Sequence, residues 1–108
     1  MLDSLVGPSD SVQVISRKRL REFADRHPEA KPGLDSWFHE AEQTVWRTPA
    51  EVKRQFARAS ILKGGRVVFD IAGNKYRLVA QINYHYEIVY IPFVGTHAEY
   101  DKIDAETI

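Results

Sequence analysis

The stretch from Arg66 to Val94 constrains this chain most, because it holds three β-forming runs joined by connections too short for anything but antiparallel pairing. Arg66-Val-Val-Phe-Asp-Ile71 is the first run. Ala72-Gly73-Asn74 follows as a hairpin turn, where glycine and asparagine tolerate positive φ. Lys75 to Asn83 alternates in character with a period of two. Tyr76, Leu78, Ala80 and Ile82 take one face; Lys75, Arg77, Val79, Gln81 and Asn83 take the other. Tyr84-His85-Tyr86 makes the next turn. The last run, Glu87 to Val94, is almost continuously apolar, which predicts a central strand covered on both faces. Pro92 inside it predicts a bulge or a free edge at that point.

The first half supplies what packs on this sheet. Val12 to Ile15 is a short strand candidate. Leu20, Phe23, Ala24 and His27 fall on one face of a helix over 17–27, which Pro28 ends. A second helix starts near Pro32 and carries the apolar stripe Leu34, Trp37, Phe38, Ala41, Val45. The short link between the two predicts an antiparallel helical hairpin. Thr48-Pro49-Ala50-Glu51 is a capping-box pattern that opens a third helix, reaching Phe56 or Ala59. Gly95-Thr96 ends the last strand, and His97 to Lys102 forms a short helical tail. The expected architecture is α+β: an N-terminal strand and a helical hairpin packed on an antiparallel meander. With 108 residues the chain holds one domain, over 12–108, after a flexible leader at 1–11. No apolar run reaches the roughly 20 residues of a membrane helix, and the N-terminus lacks the features of a secretory signal. The absence of cysteine fits a reducing cytoplasm.

Lys/Arg and Asp/Glu balance at 15 each, yet they are unevenly spread. Residues 47–77 hold Arg47, Lys53, Arg54, Arg58, Lys63, Arg66, Lys75 and Arg77 against only Glu51 and Asp70. That segment reads either as an anion-binding surface or as ordinary solvated charge. The four histidines, His27, His39, His85 and His97, have no metal-ligand spacing, and no nucleotide-cofactor motif is present, so neither a metal nor a cofactor is expected. What remains is a cationic strand face beside a tail carrying His97, Tyr100, Asp101 and Lys102. Such a set suits metal-free RNA cleavage: a base for the ribose 2′-OH, a cation at the phosphate and an acid for the leaving oxygen. Each residue also has a plainer reading. Arg77 either faces a ligand or pairs with Asp70 across the hairpin; His97 is either functional or a surface histidine at a helix start. His27, His39 and His85 read as structural or surface residues.

Arg66-Val-Val-Phe-Asp-Ile-Ala-Gly-Asn-Lys-Tyr-Arg-Leu-Val79 and Ile91-Pro-Phe-Val-Gly-Thr-His-Ala-Glu-Tyr-Asp-Lys-Ile103 closely resemble the HigB-type toxins, a branch of the RelE superfamily. The region of Phe23, His27-Pro28, Trp37 and Trp46 is similar too, so the resemblance spans about residues 12–108. It implies the RelE-like microbial RNase fold and an mRNA interferase that halts translation, cutting ribosome-bound mRNA by 2′-OH attack without metal. It also implies a HigA-like helix-turn-helix antitoxin, with mRNA and the ribosome as further partners and no membrane. Arg77 then serves as phosphate clamp, His97 as acid or base, and Lys75 and Tyr100 as supporting catalytic groups. Lys63, Arg66, Arg54, Arg58 and Lys102 become RNA contacts. The acids Asp101, Asp104 and Glu106 depart from the basic surface such an enzyme would carry. A ribonuclease acting on free RNA and a non-catalytic RNA- or protein-binding module are the alternative functions.

Overall fold

A computed structural model describes residues 13–15 and 17–108; the leader expected at 1–11, and Val12, lie outside the described residues. Strand β1 is Gln13–Val14. Helices α1 (Arg17–Arg26) and α2 (Lys31–Glu42) follow, linked only by a 3-10 turn at Pro28–Ala30. Helix α3 is Pro49–Gln55. The sheet continues with β2 (Ser60–Ile61), β3 (Arg66–Ile71), β4 (Tyr76–Asn83) and β5 (Ile88–Thr96), and α4 (His97–Tyr100) closes the series. The five strands lie in the order β1-β5-β4-β3-β2. All neighbours are antiparallel except β1, which runs parallel to β5. The architecture is therefore the expected α+β arrangement. No helix among the described residues is long and apolar enough to cross a membrane.

The alternation on β4 sorts side chains between two cores. Tyr76, Leu78, Ala80 and Ile82 join Leu20, Phe23, Leu34, Trp37 and Trp46 beneath the helices. Aromatic rings form the centre of that core: Phe69 sits 5.3 Å from Trp37, edge to face, and 5.0 Å from Phe56. Trp46 is fully buried, and its indole N–H donates to Gln55 Oε1 at 2.8 Å, so its polar atom is satisfied. The opposite face of the sheet is not left open. Val68 and Val79 are buried there under the C-terminal tail, with Leu62, Phe93, Tyr100, Ile103 and Ala105 packed around them.

Several boundaries differ from the sequence expectation. Lys75 belongs to the β3–β4 turn rather than to β4. Positive φ in that turn falls on Ala72 and Gly73, not on Asn74. The central strand is β4, flanked on both sides from Tyr76 to Gln81; β5 is covered on its outer edge only at Ile88 and Val89. Apolarity alone could not separate the two strands, since both feed the same core.

Pro92 occupies both of the situations expected of it. It lies beyond the reach of β1, and the β4–β5 register slips there, with Val79 opposite Phe93 but Gln81 opposite Tyr90. Two residues of β5, Ile91 and Pro92, thus face one of β4, Ala80, a β-bulge at the residue that cannot donate a ladder hydrogen bond.

Candidate active site

The β3–β4 turn and α4 meet at one end of the outer sheet face. Asp70 and Arg77 stand directly opposite each other on β3 and β4, and Arg77 Nη1 lies 3.2 Å from Asp70 Oδ1. The same nitrogen donates to the Asn74 carbonyl at 3.3 Å. Arg58 approaches the other carboxylate oxygen from the loop after α3, Nη2 to Oδ2 at 3.5 Å. Asp70 is thus a hub between two guanidinium groups. Arg77 is largely buried, its side chain only 14% exposed. Its guanidinium carbon sits 5.7 Å from the centre of the Tyr100 ring, a cation–π contact. The residue opposite it on β5 is Gly95, which adds no side chain to the space beside the guanidinium.

Helix α4 has four residues and depends on its cap. Thr96 Oγ1 accepts from the Glu99 amide at 3.1 Å, and Glu99 Oε1 accepts from the Thr96 amide at 2.8 Å, a complete capping box. The His97 amide donates to the Lys75 carbonyl at 3.0 Å, which docks the helix on the β3–β4 turn. On this single turn His97, Tyr100 and Asp101 share one side at i, i+3 and i+4. His97 Nδ1 lies 3.2 Å from Asp101 Oδ2, with the ring about half exposed. A carboxylate at Nδ1 fixes the orientation of an imidazole and leaves Nε2 to face solvent or substrate.

The structure therefore gathers Arg77, His97, Tyr100 and the Lys75 backbone, with Arg58 joined through Asp70. It does not gather the rest. Lys63 lies in the 3-10 turn Lys63–Gly65 at the far end of β3, next to Arg66. Arg66 is held there by Nε donating to Gln81 Oε1 at 2.6 Å and by Nη1 donating to the Ala105 carbonyl at 3.4 Å. Arg54 is exposed beside an open hollow lined by Gln43, Thr44, Val45 and Glu51. Lys53, from the same basic segment, turns back and donates to the Ala59 carbonyl at 2.6 Å. Lys102 is exposed just past α4. Among the described residues no three His, Asp or Glu side chains gather as a metal site. Sequence reasoning placed Asp101 in the tail set but did not pair it with His97, although the i+4 spacing between them was the available signal. Asp70 was considered only as a partner for Arg77, not as the centre of a three-residue group.

Comparison with known proteins places these features in a family. The model of the HigB toxin family, described as the RelE-like toxic component of a toxin–antitoxin system, matches residues 30–103. The chain is 29% identical over 94 residues to an mRNA interferase HigB of Escherichia coli O6:H1, covering 85% of this chain and 91% of that protein. It is 28% identical over 96 residues to the mRNA interferase toxin HigB of Escherichia coli K12, covering 87% and 92%. An mRNA interferase HigB of Shigella flexneri matches equally well.

Proposed function

The chain belongs to the HigB toxin family, as the RelE-like toxic component of a toxin–antitoxin system, and from that membership we propose that it is an endoribonuclease that cleaves mRNA and arrests translation. The observation that carries the reading is the joining of Arg77, Tyr100 and the His97–Asp101 pair at one end of the sheet, in a chain whose relatives are named mRNA interferases. In this reaction the ribose 2′-oxygen attacks the adjacent phosphorus and the P–O5′ bond breaks. A base takes the 2′-OH proton, and an acid returns one to O5′, leaving a 2′,3′-cyclic phosphate and a 5′-OH end. His97, oriented by Asp101, serves one of the two proton transfers through Nε2. Arg77 holds the phosphate as charge builds on it. Asp70 occupies Nη1, and neither Nε nor Nη2 makes a hydrogen bond among the described residues, so donors remain for the anion. Tyr100 and Lys75 flank the same point. The reaction needs no metal. Arg54, Arg58, Lys63, Arg66 and Lys102 contribute to the attraction of the RNA backbone.

The toxic component of such a system has an antitoxin, and a HigA-like helix-turn-helix protein is the proposed one. Its acidic segments would cover the basic stretch 47–77. The ribosome is the proposed setting for cleavage, and the cytoplasm the compartment. The test is expression alone and with the neighbouring small gene, followed by mapping of mRNA ends. Growth arrest with new 5′-OH ends is expected, relieved by the partner. A single 2′-deoxy nucleotide at the cut site should abolish cleavage there. Intact transcripts in arrested cells, or cleavage of the deoxy substrate, would count against the reading.

A further inference from the structure

The bulge at Pro92 has an effect on β5 that points away from the reacting end. Val89 and Ile91 enter the main core, whereas Phe93 packs on the outer face against Val79. Without the extra residue, positions three apart would point to opposite faces; with it, Tyr90 and Phe93 share one. Tyr90 therefore stands on the outer face directly opposite Gln81, which stands opposite Arg66. The residue is 48% exposed, one of few large hydrophobic residues so placed among the described residues. Across Gln81 from it, two strands away, the Arg66 guanidinium is fixed by Gln81 and the Ala105 carbonyl, and Gln81 in turn donates to the Gly64 carbonyl. Gly65 makes this close packing possible: it has φ 80°, and a Cβ there would stand 2.6 Å from the Ile82 carbonyl oxygen. Lys63 is exposed on the same turn, with no carboxylate in ion-pair range among the described residues. Asp104, in the tail near Arg66, accepts from the Glu106 amide at 2.9 Å.

We propose that Tyr90, Arg66 and Lys63 form a second nucleotide subsite, in which Tyr90 stacks on an unpaired base and the two cations take the neighbouring phosphates. The proposal rests on the RNA-cleaving function above and adds to it a contact remote from the reacting bond. Arg77 and Gln81 are four residues apart on β4, so the subsite lies about 13 Å from the clamp along the same face. An exposed ring on the same face as one fixed guanidinium and one exposed ammonium, with no fixed pattern of base-edge donors, suits single-stranded RNA with little sequence preference.

The test is anisotropy of a fluorescein-labelled single-stranded RNA carrying 2′-O-methyl groups throughout, which binds but has no free nucleophile. It is offered free and as part of a ribosome-bound message. Tyr90→Ala should weaken binding about tenfold, the effect of losing one stacked base, while its dependence on salt is unchanged. Tyr90→Phe should bind like the parent. Lys63→Ala should lower the slope of log K against log salt by about one. Equal binding by parent and Tyr90→Ala overturns the subsite while leaving the ribonuclease reading intact. A Tyr90→Ala variant that loses only its antitoxin assigns the patch to a protein partner and overturns it too. A parent that binds RNA in neither form overturns both readings.

Discussion

At the scale of single residues, Arg77 carries two duties that the sequence could not separate. Alternation placed it correctly on the outer face of β4, and the residue pattern left open whether it met a ligand or Asp70. In the structure it meets Asp70, and its side chain is mostly buried. An exposed arginine can be removed at a cost within about 0.5 kcal/mol; this one cannot. Arg77→Ala leaves Asp70, itself only 20% exposed, with the solvated Arg58, 3.5 Å away, as its one ionic partner among the described residues. The expected loss of stability is about 1–2 kcal/mol, below the 3–5 kcal/mol of a fully buried pair because solvent and Arg58 still reach the carboxylate. Activity should fall by about 10²–10³, the effect of losing one positioned donor at a developing anion. The double variant Arg77→Ala with Asp70→Asn separates the duties. Thermal melting should recover most of the lost stability, and the rate should stay low. If the double variant regains activity, Arg77 acts only by neutralising Asp70.

At the scale of elements, the hairpin β3–β4 and the three longer helices were legible because each is written in local chemistry: period two for strands, the Leu34–Trp37–Ala41 stripe, and the Thr48 cap. Thr48 Oγ1 does accept from the Glu51 amide, at 3.3 Å. The Glu51 carboxylate reaches one residue further back than a standard capping box, to the Arg47 amide at 2.6 Å. What stayed hidden depends on contacts distant in sequence. The places of β1 and β2 at the two edges of the sheet, the Asp70 hub and the tail across Val68 and Val79 have no local signature. Helix α4 is an intermediate case: its start at His97 was readable, while its end at Tyr100 rather than Lys102 and its dependence on Thr96 were not. A helix this short has almost no hydrogen-bond ladder of its own, and isolated helices of under about 12 residues are marginal in water. Its cap and the His97–Lys75 docking bond therefore hold the turn that carries His97 and Tyr100. Thr96→Ala should cost about 1 kcal/mol of stability. Its cost in rate should be larger than that figure implies, because His97 and Asp101 lose a common frame. Thr96→Ser, which keeps the acceptor oxygen, should restore both. A Thr96→Ala enzyme with the parental rate would show that α4 does not set the geometry of His97.

At the scale of the whole molecule, the sheet separates two cores of very different size. The helical side buries Trp37, Trp46, Phe23, Phe69 and the inward row of β4, while among the described residues the outer side buries only Val68, Val79 and Ala105, with partial cover from Ile103 and Phe93. Cooperative stability follows buried apolar area, so global unfolding is governed by the helical side. The outer layer is held by a few apolar contacts and by the Arg66 bond to the Ala105 carbonyl. Elements with few buried contacts open locally, at a free energy below that of global unfolding. The C-terminal tail is such an element, and it lies between the Arg77 end of the face and the Tyr90 end. Amides of Asp101 to Ile108 should therefore exchange hydrogen much faster than those of β3, β4 and the paired part of β5. Ile103→Ser removes one of the contacts that pin the tail and places a hydroxyl in its site. It should accelerate exchange throughout 101–108 and lower Tm by roughly 4–8 °C at most, the shift that about 1 kcal/mol produces in a domain of 60–100 residues. It should also loosen Tyr100 from the Arg77 guanidinium and reduce cleavage more than it reduces melting temperature. If exchange in the tail is as slow as in β4, or if Ile103→Ser unfolds the protein outright, the two cores form one cooperative unit and the tail is part of the foundation of the fold.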